Sequence, residues 1–318
     1  MARESYTDIY AGLSKSEKAA YEKLTDTKGD IIASTEANRS RLDRCLYNDS
    51  AEETAYNRPL SEAERQLITC IQEMPFYFGH STQYPRSVFQ KQALLSRGEL
   101  ARKSSEVIYG MTKVSDNQFG NDSFVFGTLF AEPDENRVIL HRGDFFFKAD
   151  IVFDKGCITF HDGFTIFNSL GSIKEGTTYG VAFGATKRHM EHGWGRVNYV
   201  FINEQGETVG SLENRFSEEY FFGPKAKEAL GKMMVLHLRY CDPAFQEALF
   251  AEMGDPVQLA KHVNRFFSEI EIKIPNQVPF QGHYVGAKPH IARLGQEPAY
   301  LDQRKAEENS YYSCAIYD

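Results

Sequence analysis

Between residues 122 and 222 the chain reads as a series of short runs rich in Phe, Val, Ile and Tyr, each bounded by Gly, Asp or Asn. Such runs predict strands. The candidates are 123–130, 138–140, 145–153, 157–161, 179–183, 197–203, 208–212 and 219–222, with 197–212 forming a hairpin turned at Glu204-Gln205-Gly206. Helical patterns flank this block on both sides. Strands grouped together, with helices grouped around them, select an α+β fold.

The helical signals are specific. Ser61-Glu62-Ala63-Glu64 is a capping box, in which the Ser61 hydroxyl takes the Glu64 N–H while Glu64 reaches back. Leu67, Ile68, Ile71 and Met74 follow at helical spacing, so a helix is predicted over 61–73, ending before Pro75. Residues 76–78 predict a short strand leading to His80, and 88–104 a helix broken or capped at Gly98. A further helix starts at Gly223-Pro224, and Asp242-Pro243 and Asp255-Pro256 each pair an N-cap with proline at the first helical position. These predict helices over 243–252 and 256–270.

The ends differ from the middle. Residues 1–58 are polar with few aliphatics and predict a mobile, partly helical extension or a segment for export and chaperone docking. Residues 272–318 hold Pro275, Pro279, Pro289 and Pro298 among polar residues and predict irregular structure. One catalytic-size domain over 59–271 lies between them.

Composition excludes some functions. Of 318 residues, Lys and Arg number 36 and Asp and Glu 44, a net charge of −8. That balance argues against nucleic acid as the main partner and against a polybasic membrane anchor. No apolar run approaches the roughly 18–20 residues of a membrane span, and the first 23 residues lack the apolar core of a Sec-type signal. The five cysteines are scattered without Cys-x-x-Cys, the pattern of reduced thiols.

Several motifs fail on inspection. Residues 171–177 have the glycine spacing of a phosphate loop without its lysine. His189 and His192 lack an obvious third ligand, so no metal is expected. Cys157 with His161 or His80 offers a nucleophile pair, the basis of an alternative reading as a cysteine-dependent hydrolase or deamidase.

Three separated segments carry the preferred chemistry. Residues 76–84 run from aromatics into His80-Ser81-Thr82; 123–127 read Ser-Phe-Val-Phe-Gly; 218–224 place Glu218 and Glu219 before Tyr220-Phe221-Phe222 and a Gly-Pro stop. Cleaving the nicotinamide bond of NAD passes through an oxocarbenium-like state. A site for it grips ribose hydroxyls, stacks nicotinamide and sets a carboxylate beside the developing positive charge. A His with neighbouring hydroxyls, an aromatic on a facing strand and a strand-initial glutamate suit those tasks in turn.

On these residues, and on the strand-to-helix join at 222–239, the chain resembles the OspC-type arginine ADP-riboxanases, secreted effectors within the ADP-ribosyltransferase-like superfamily. The resemblance covers roughly residues 55–275. It implies a split β-sheet core with flanking N- and C-terminal helices, NAD as substrate and an arginine as acceptor. By resemblance His80 contacts NAD, with Ser81 and Thr82 beside it, Phe126 packs on the nicotinamide side, Asp162 is the acidic position after a central strand, and Glu219 is the catalytic carboxylate. The family carries a Glu just after its Phe-x-Gly strand, where this chain has Thr128-Leu129-Phe130 and its nearest acid is Glu132. The residue two before Glu219 is Ser217, so the Glu-x-Glu of arginine-directed transferases is absent. The resemblance further implies type III secretion into the host-cell cytoplasm, a caspase-like host target and calmodulin as activator, for which Val263, Phe266 and Phe267 beside Lys261, His262 and Arg265 form the candidate face. A non-catalytic effector that binds a host protein is the other alternative.

Overall fold

The computed structural model describes residues 6–24, 30–47, 58–103, 120–131, 143–160, 196–202, 208–215, 220–239, 241, 243–266, 270–298 and 301–302. Three helices come first: α1 (Tyr6–Gly12), α2 (Lys15–Lys23) and α3 (Ile31–Leu46). Then follow α4 (Glu62–Glu73), β1 (Tyr77–His80), α5 (Pro85–Lys91), β2 (Ala93–Leu95), α6 (Arg97–Lys103), β3 (Phe124–Phe130), β4 (Phe145–Lys148), α7 (Asp150–Lys155) and β5 (Cys157–Thr159). The remainder is β6 (Arg196–Ile202), β7 (Thr208–Arg215), β8 (Phe221–Phe222), α8 (Lys225–Arg239), α9 (Pro243–Glu252), α10 (Pro256–Phe266), β9 (Glu271–Pro275), β10 (Gln277–Pro279), β11 (Tyr284–Ala287) and α11 (Pro289–Leu294).

The chain is α+β. Seven strands form one sheet in the order β11-β4-β1-β3-β9-β5-β8, and each neighbouring pair is antiparallel. Two further two-stranded sheets pair β10 with β2 and β6 with β7. The β6–β7 pair is the expected hairpin; its turn lies outside the described residues, as do the strands expected at 138–140 and 179–183.

Alternation gives the large sheet two apolar faces. Phe78, Leu129, Phe147, Ile158 and Ile272 belong to the main core with residues of α4 and α8. The opposite face carries Phe124, Cys157 and Phe222, packed against Tyr21, Leu24 and Ile31 of the N-terminal helices. Helix α4 starts as expected: Ser61 Oγ accepts from Glu64 N at 3.2 Å and Glu64 returns the bond to Ser61 N at 2.8 Å. Asp255 caps α10, its carboxylate accepting from Val257 N and Gln258 N.

Four expectations change. The first 58 residues are not a loose extension over their described part: Tyr21, Leu24 and Ile31 are buried against the sheet. The apolar run 145–153 is a strand followed by a helix, because Ala149 donates its N–H to Phe76 O and turns the chain, letting Ile151, Val152 and Phe153 bury from α7. A continuous apolar run carries no period to separate the two. The helix over 88–104 is interrupted: Gln92 adopts a left-handed conformation (φ 50, ψ 36) that ends α5, and β2 then pairs with β10. Residues 272–318 are not irregular throughout, since β9 lies inside the sheet between β3 and β5.

Candidate functional site

The site is built where β1, β3 and β9 run side by side. Pairing of β1 with β3 stops at Gly79 opposite Thr128. Beyond that point the His80 imidazole takes over: its Nδ1 lies 2.6 Å from the main-chain oxygen of Phe126. A carbonyl only accepts, so Nδ1 carries the proton, and in the neutral ring Nε2 keeps its lone pair. Burial pulls the His80 pKa below its usual value, against the Phe126 carbonyl and the Asp144 carboxylate, which both favour the charged ring.

The His80 backbone is held as firmly as its ring. Its carbonyl accepts from Asp144 N at 2.9 Å. Gly143 (φ +89) lies so close that a Cβ there would sit 2.2 Å from His80 N, so no other residue fits without a shift. Lys288 Nζ stands 3.3 Å from the Asp144 carboxylate, and Lys288 N donates to Asp144 O. Ser81 is exposed. Thr82 Oγ1 accepts from Tyr84 N at 3.1 Å and so shapes the turn into α5.

Phe126 lies on the other face of the sheet from Phe78, and alternation along β1 puts the Cβ of His80 with Phe78. His80 therefore meets the backbone of Phe126 and not its ring. The ring instead faces Lys273, directly across on β9. Lys273 is 1% exposed, and its Nζ is 5.2 Å from the Phe126 ring centroid, 5.1 Å from that of Tyr220 and 2.6 Å from Glu271 Oε1. A buried ammonium between two aromatic faces with a carboxylate partner is a satisfied cation. The next residues along this face, Thr128, Glu271 and Thr159, form a polar row across β3, β9 and β5.

Tyr220 arrives from the third segment through β8, at the edge of the sheet. Helix α3 holds that edge. Thr35 Oγ1 accepts from Phe222 N at 3.1 Å and donates to Ile31 O at 2.7 Å, while Asn38 Nδ2 donates to Tyr220 O at 3.2 Å.

The expected residues therefore divide. The structure brings His80 to Phe126 through the main chain, and Phe126 to Tyr220 through Lys273. Glu219, Asp162, His161, His189 and His192 lie outside the described residues, as does the 171–177 loop. Cys157 and His80 are not paired: two strands separate β5 from β1, about 14 Å at the usual strand spacing. Cys157 is fully buried and meets the Tyr21 hydroxyl, which donates to Lys155 O at 2.7 Å; burial and the thiol push the Tyr21 pKa well up. Val263 of α10 is buried in the main core, while Phe267 of the same expected face lies outside the described residues. No described helix is long and apolar enough to cross a membrane, and no group of three His, Cys, Asp or Glu among the described residues is placed to hold a metal ion.

Sequence reasoning missed Lys273, Glu271, Thr35 and Asn38. The alternation Glu271-Ile272-Lys273-Ile274 was the available signal for β9. Comparison with protein-family profiles and with curated proteins finds no match to this chain.

Proposed function

We propose that the chain binds NAD and transfers its ADP-ribose to a side chain of a host protein, an arginine by preference, on a split-sheet core of the ADP-ribosyltransferase kind. One observation supports this above the others. Residues from three distant segments converge, with His80 gripping the Phe126 carbonyl at 2.6 Å and the Phe126 and Tyr220 rings flanking one buried ammonium. Tyr220 is the direct neighbour of Glu219 in the chain.

In this reading His80, Ser81 and Thr82 hold NAD at the end of β1, and Phe126, whose ring is on the opposite face of the sheet, stacks nicotinamide where the dinucleotide rounds the end of β1. The bond from the ribose anomeric carbon to nicotinamide breaks, nicotinamide leaves with the electron pair, and a guanidinium nitrogen bonds that carbon. Glu219 holds the 2′-hydroxyl and steadies the cation, and Asp162 takes the proton the acceptor releases. A second step follows in the riboxanase variant: Asp162 first gives its proton to solvent, the 2′-oxygen then attacks the guanidinium carbon, its proton passes through Asp162 to a terminal guanidinium nitrogen, and the bond from the carbon to that nitrogen breaks to release ammonia. The protein acts as a type III effector in the host-cell cytoplasm, with a caspase-like target, a secretion chaperone before delivery and calmodulin as activator.

The test combines NAD, host-cell lysate and mass spectrometry. Wild type adds ADP-ribose, with or without loss of ammonia, and Glu219→Ala lowers the yield at least about a hundredfold without changing the circular dichroism. A wild-type protein that neither binds nor cleaves NAD overturns the proposal in favour of a binding-only effector. Inactivation by a thiol alkylator with indifference to NAD overturns it in favour of a cysteine enzyme.

A further inference from the structure

The outer edge of β8 is finished by a helix. In an antiparallel sheet the edge strand presents alternate N–H and C=O groups to its open side. Here β5 takes the inner side of β8, with Cys157 opposite Phe222 and Ile158 opposite Phe221, and Gly223 N donates to Gly156 O. The outward pair is Tyr220 C=O and Phe222 N–H. Both are met from α3, by Asn38 Nδ2 at 3.2 Å and Thr35 Oγ1 at 3.1 Å.

These two side chains reproduce the donor and acceptor that a neighbouring strand would offer. The Thr35 hydroxyl has one hydrogen, with Ile31 O at 2.7 Å and Tyr220 O at 3.4 Å within reach; the shorter contact takes it, which leaves the oxygen lone pairs turned to the Phe222 N–H. Thr35 is fully buried and Asn38 nearly so. Helix α3 also brings Ile31 into the cluster with Phe222, Tyr21 and Tyr220.

We propose that Thr35 and Asn38 are positioning residues: they fix the main chain at 220–222, and through it hold the Tyr220 ring over the Lys273 ammonium. The N-terminal helices are then part of the functional unit. This inference rests on the NAD reading for its activity arm only.

The test uses the full chain and three variants. Thr35→Val keeps the shape and removes the acceptor; Thr35→Ser restores it; Asn38→Ala removes the second contact and serves if Thr35→Val fails to fold. In hydrogen exchange with mass spectrometry, Thr35→Val and Asn38→Ala speed exchange of a peptide spanning 220–223 by about tenfold or more, Thr35→Ser leaves it near wild type, and peptides from β1 are unchanged. In NAD turnover, the same two variants lose about tenfold to a hundredfold in kcat with KM for NAD within about twofold, since a small misplacement near the reacting groups costs that much. Unchanged exchange at 220–223 overturns the proposal, and so does faster exchange with unchanged kcat. A wild type inert toward NAD defeats the enzymatic reading alone, and the exchange arm still decides the positioning role.

Discussion

The Nδ1 of His80 stands 2.6 Å from the carbonyl oxygen of Phe126, at the point where β1 has no further backbone pairs to offer β3. A side chain here does the work of a strand residue. The bond sets the tautomer, so the one open nitrogen of the ring is Nε2, an acceptor. A base or a hydroxyl-binding group needs that state.

Stability should fall on mild acidification because of this ring. Burial holds the His80 pKa below its ordinary value of about 6.5. In that window the unfolded chain binds a proton that the folded one refuses, so stability is full above about pH 6.5 and declines as pH falls toward the lowered value. His283 acts in the same direction: burial lowers its pKa, with Lys155 and Lys148 adding to that and Asp150 and Asp154 opposing it. Urea midpoints between pH 5 and 8 should decline toward the acid end in wild type. The decline should be shallower in His80→Asn, whose amide still donates to Phe126, and shallowest in His80→Asn with His283→Asn. An equal slope in all three proteins removes His80 as a cause.

A second prediction concerns the capping box of α4, which doubles as a buried ion site. Glu64 takes Arg239 Nε at 2.9 Å and Arg239 Nη2 at 3.1 Å, and both terminal nitrogens of Arg58 at 3.0 Å. Burial raises its pKa, but the Arg239 and Ser61 bonds and the two guanidinium charges outweigh that and leave it lowered. Among the described residues, Glu64→Ala takes the only carboxylate shown against the buried Arg239 and leaves it the Leu46 carbonyl at 2.7 Å, so it should cost about 3–5 kcal/mol in urea unfolding. The carboxylate's contribution is present above its ordinary pKa of about 4.3 and is lost as pH falls below it. Glu228, with its pKa lowered to about 2 against burial by Lys232 and Lys225, behaves likewise. A Glu64→Ala loss under about 1 kcal/mol would show that Arg239 finds another partner.

Local signals in the sequence carried much of this architecture. The Ser61–Glu64 box and Asp255 cap the helices they were expected to cap, because capping is chemistry within four residues. Strand β3 was equally plain, with alternating aromatics over seven residues. Strand β9 was hidden, since its partners β3 and β5 lie more than a hundred residues upstream and the prolines around it read as breaks. The packing of the N-terminal helices, whose partly helical character was expected, hid for another reason: Tyr21, Leu24 and Ile31 are few and widely spaced among polar residues, and a face that sparse declares itself only against the sheet that covers it. In the site, His80 and Phe126 stood out by type and position. Lys273 did not, because lysine is almost never fully buried unless paired, and its carboxylate and rings come from three different strands or their ends.

Lys273 yields the prediction that separates folding from chemistry. Its ammonium and the Glu271 carboxylate form a buried pair at 2.6 Å. Lys273→Met leaves Glu271 without that partner and should cost about 3–5 kcal/mol, whereas Lys273→Met with Glu271→Met removes both charges and should recover most of the loss. Stability alone would then look restored. Activity should not be, because the Phe126 and Tyr220 rings would have no cation between them to fix their spacing. Denaturant unfolding and NAD turnover, measured on the single and double variants, should therefore part company: stability near wild type and turnover at least about tenfold down in the double. If turnover returns along with stability, the ammonium is a packing element only, and the convergence of Phe126 and Tyr220 depends on the strands that carry them.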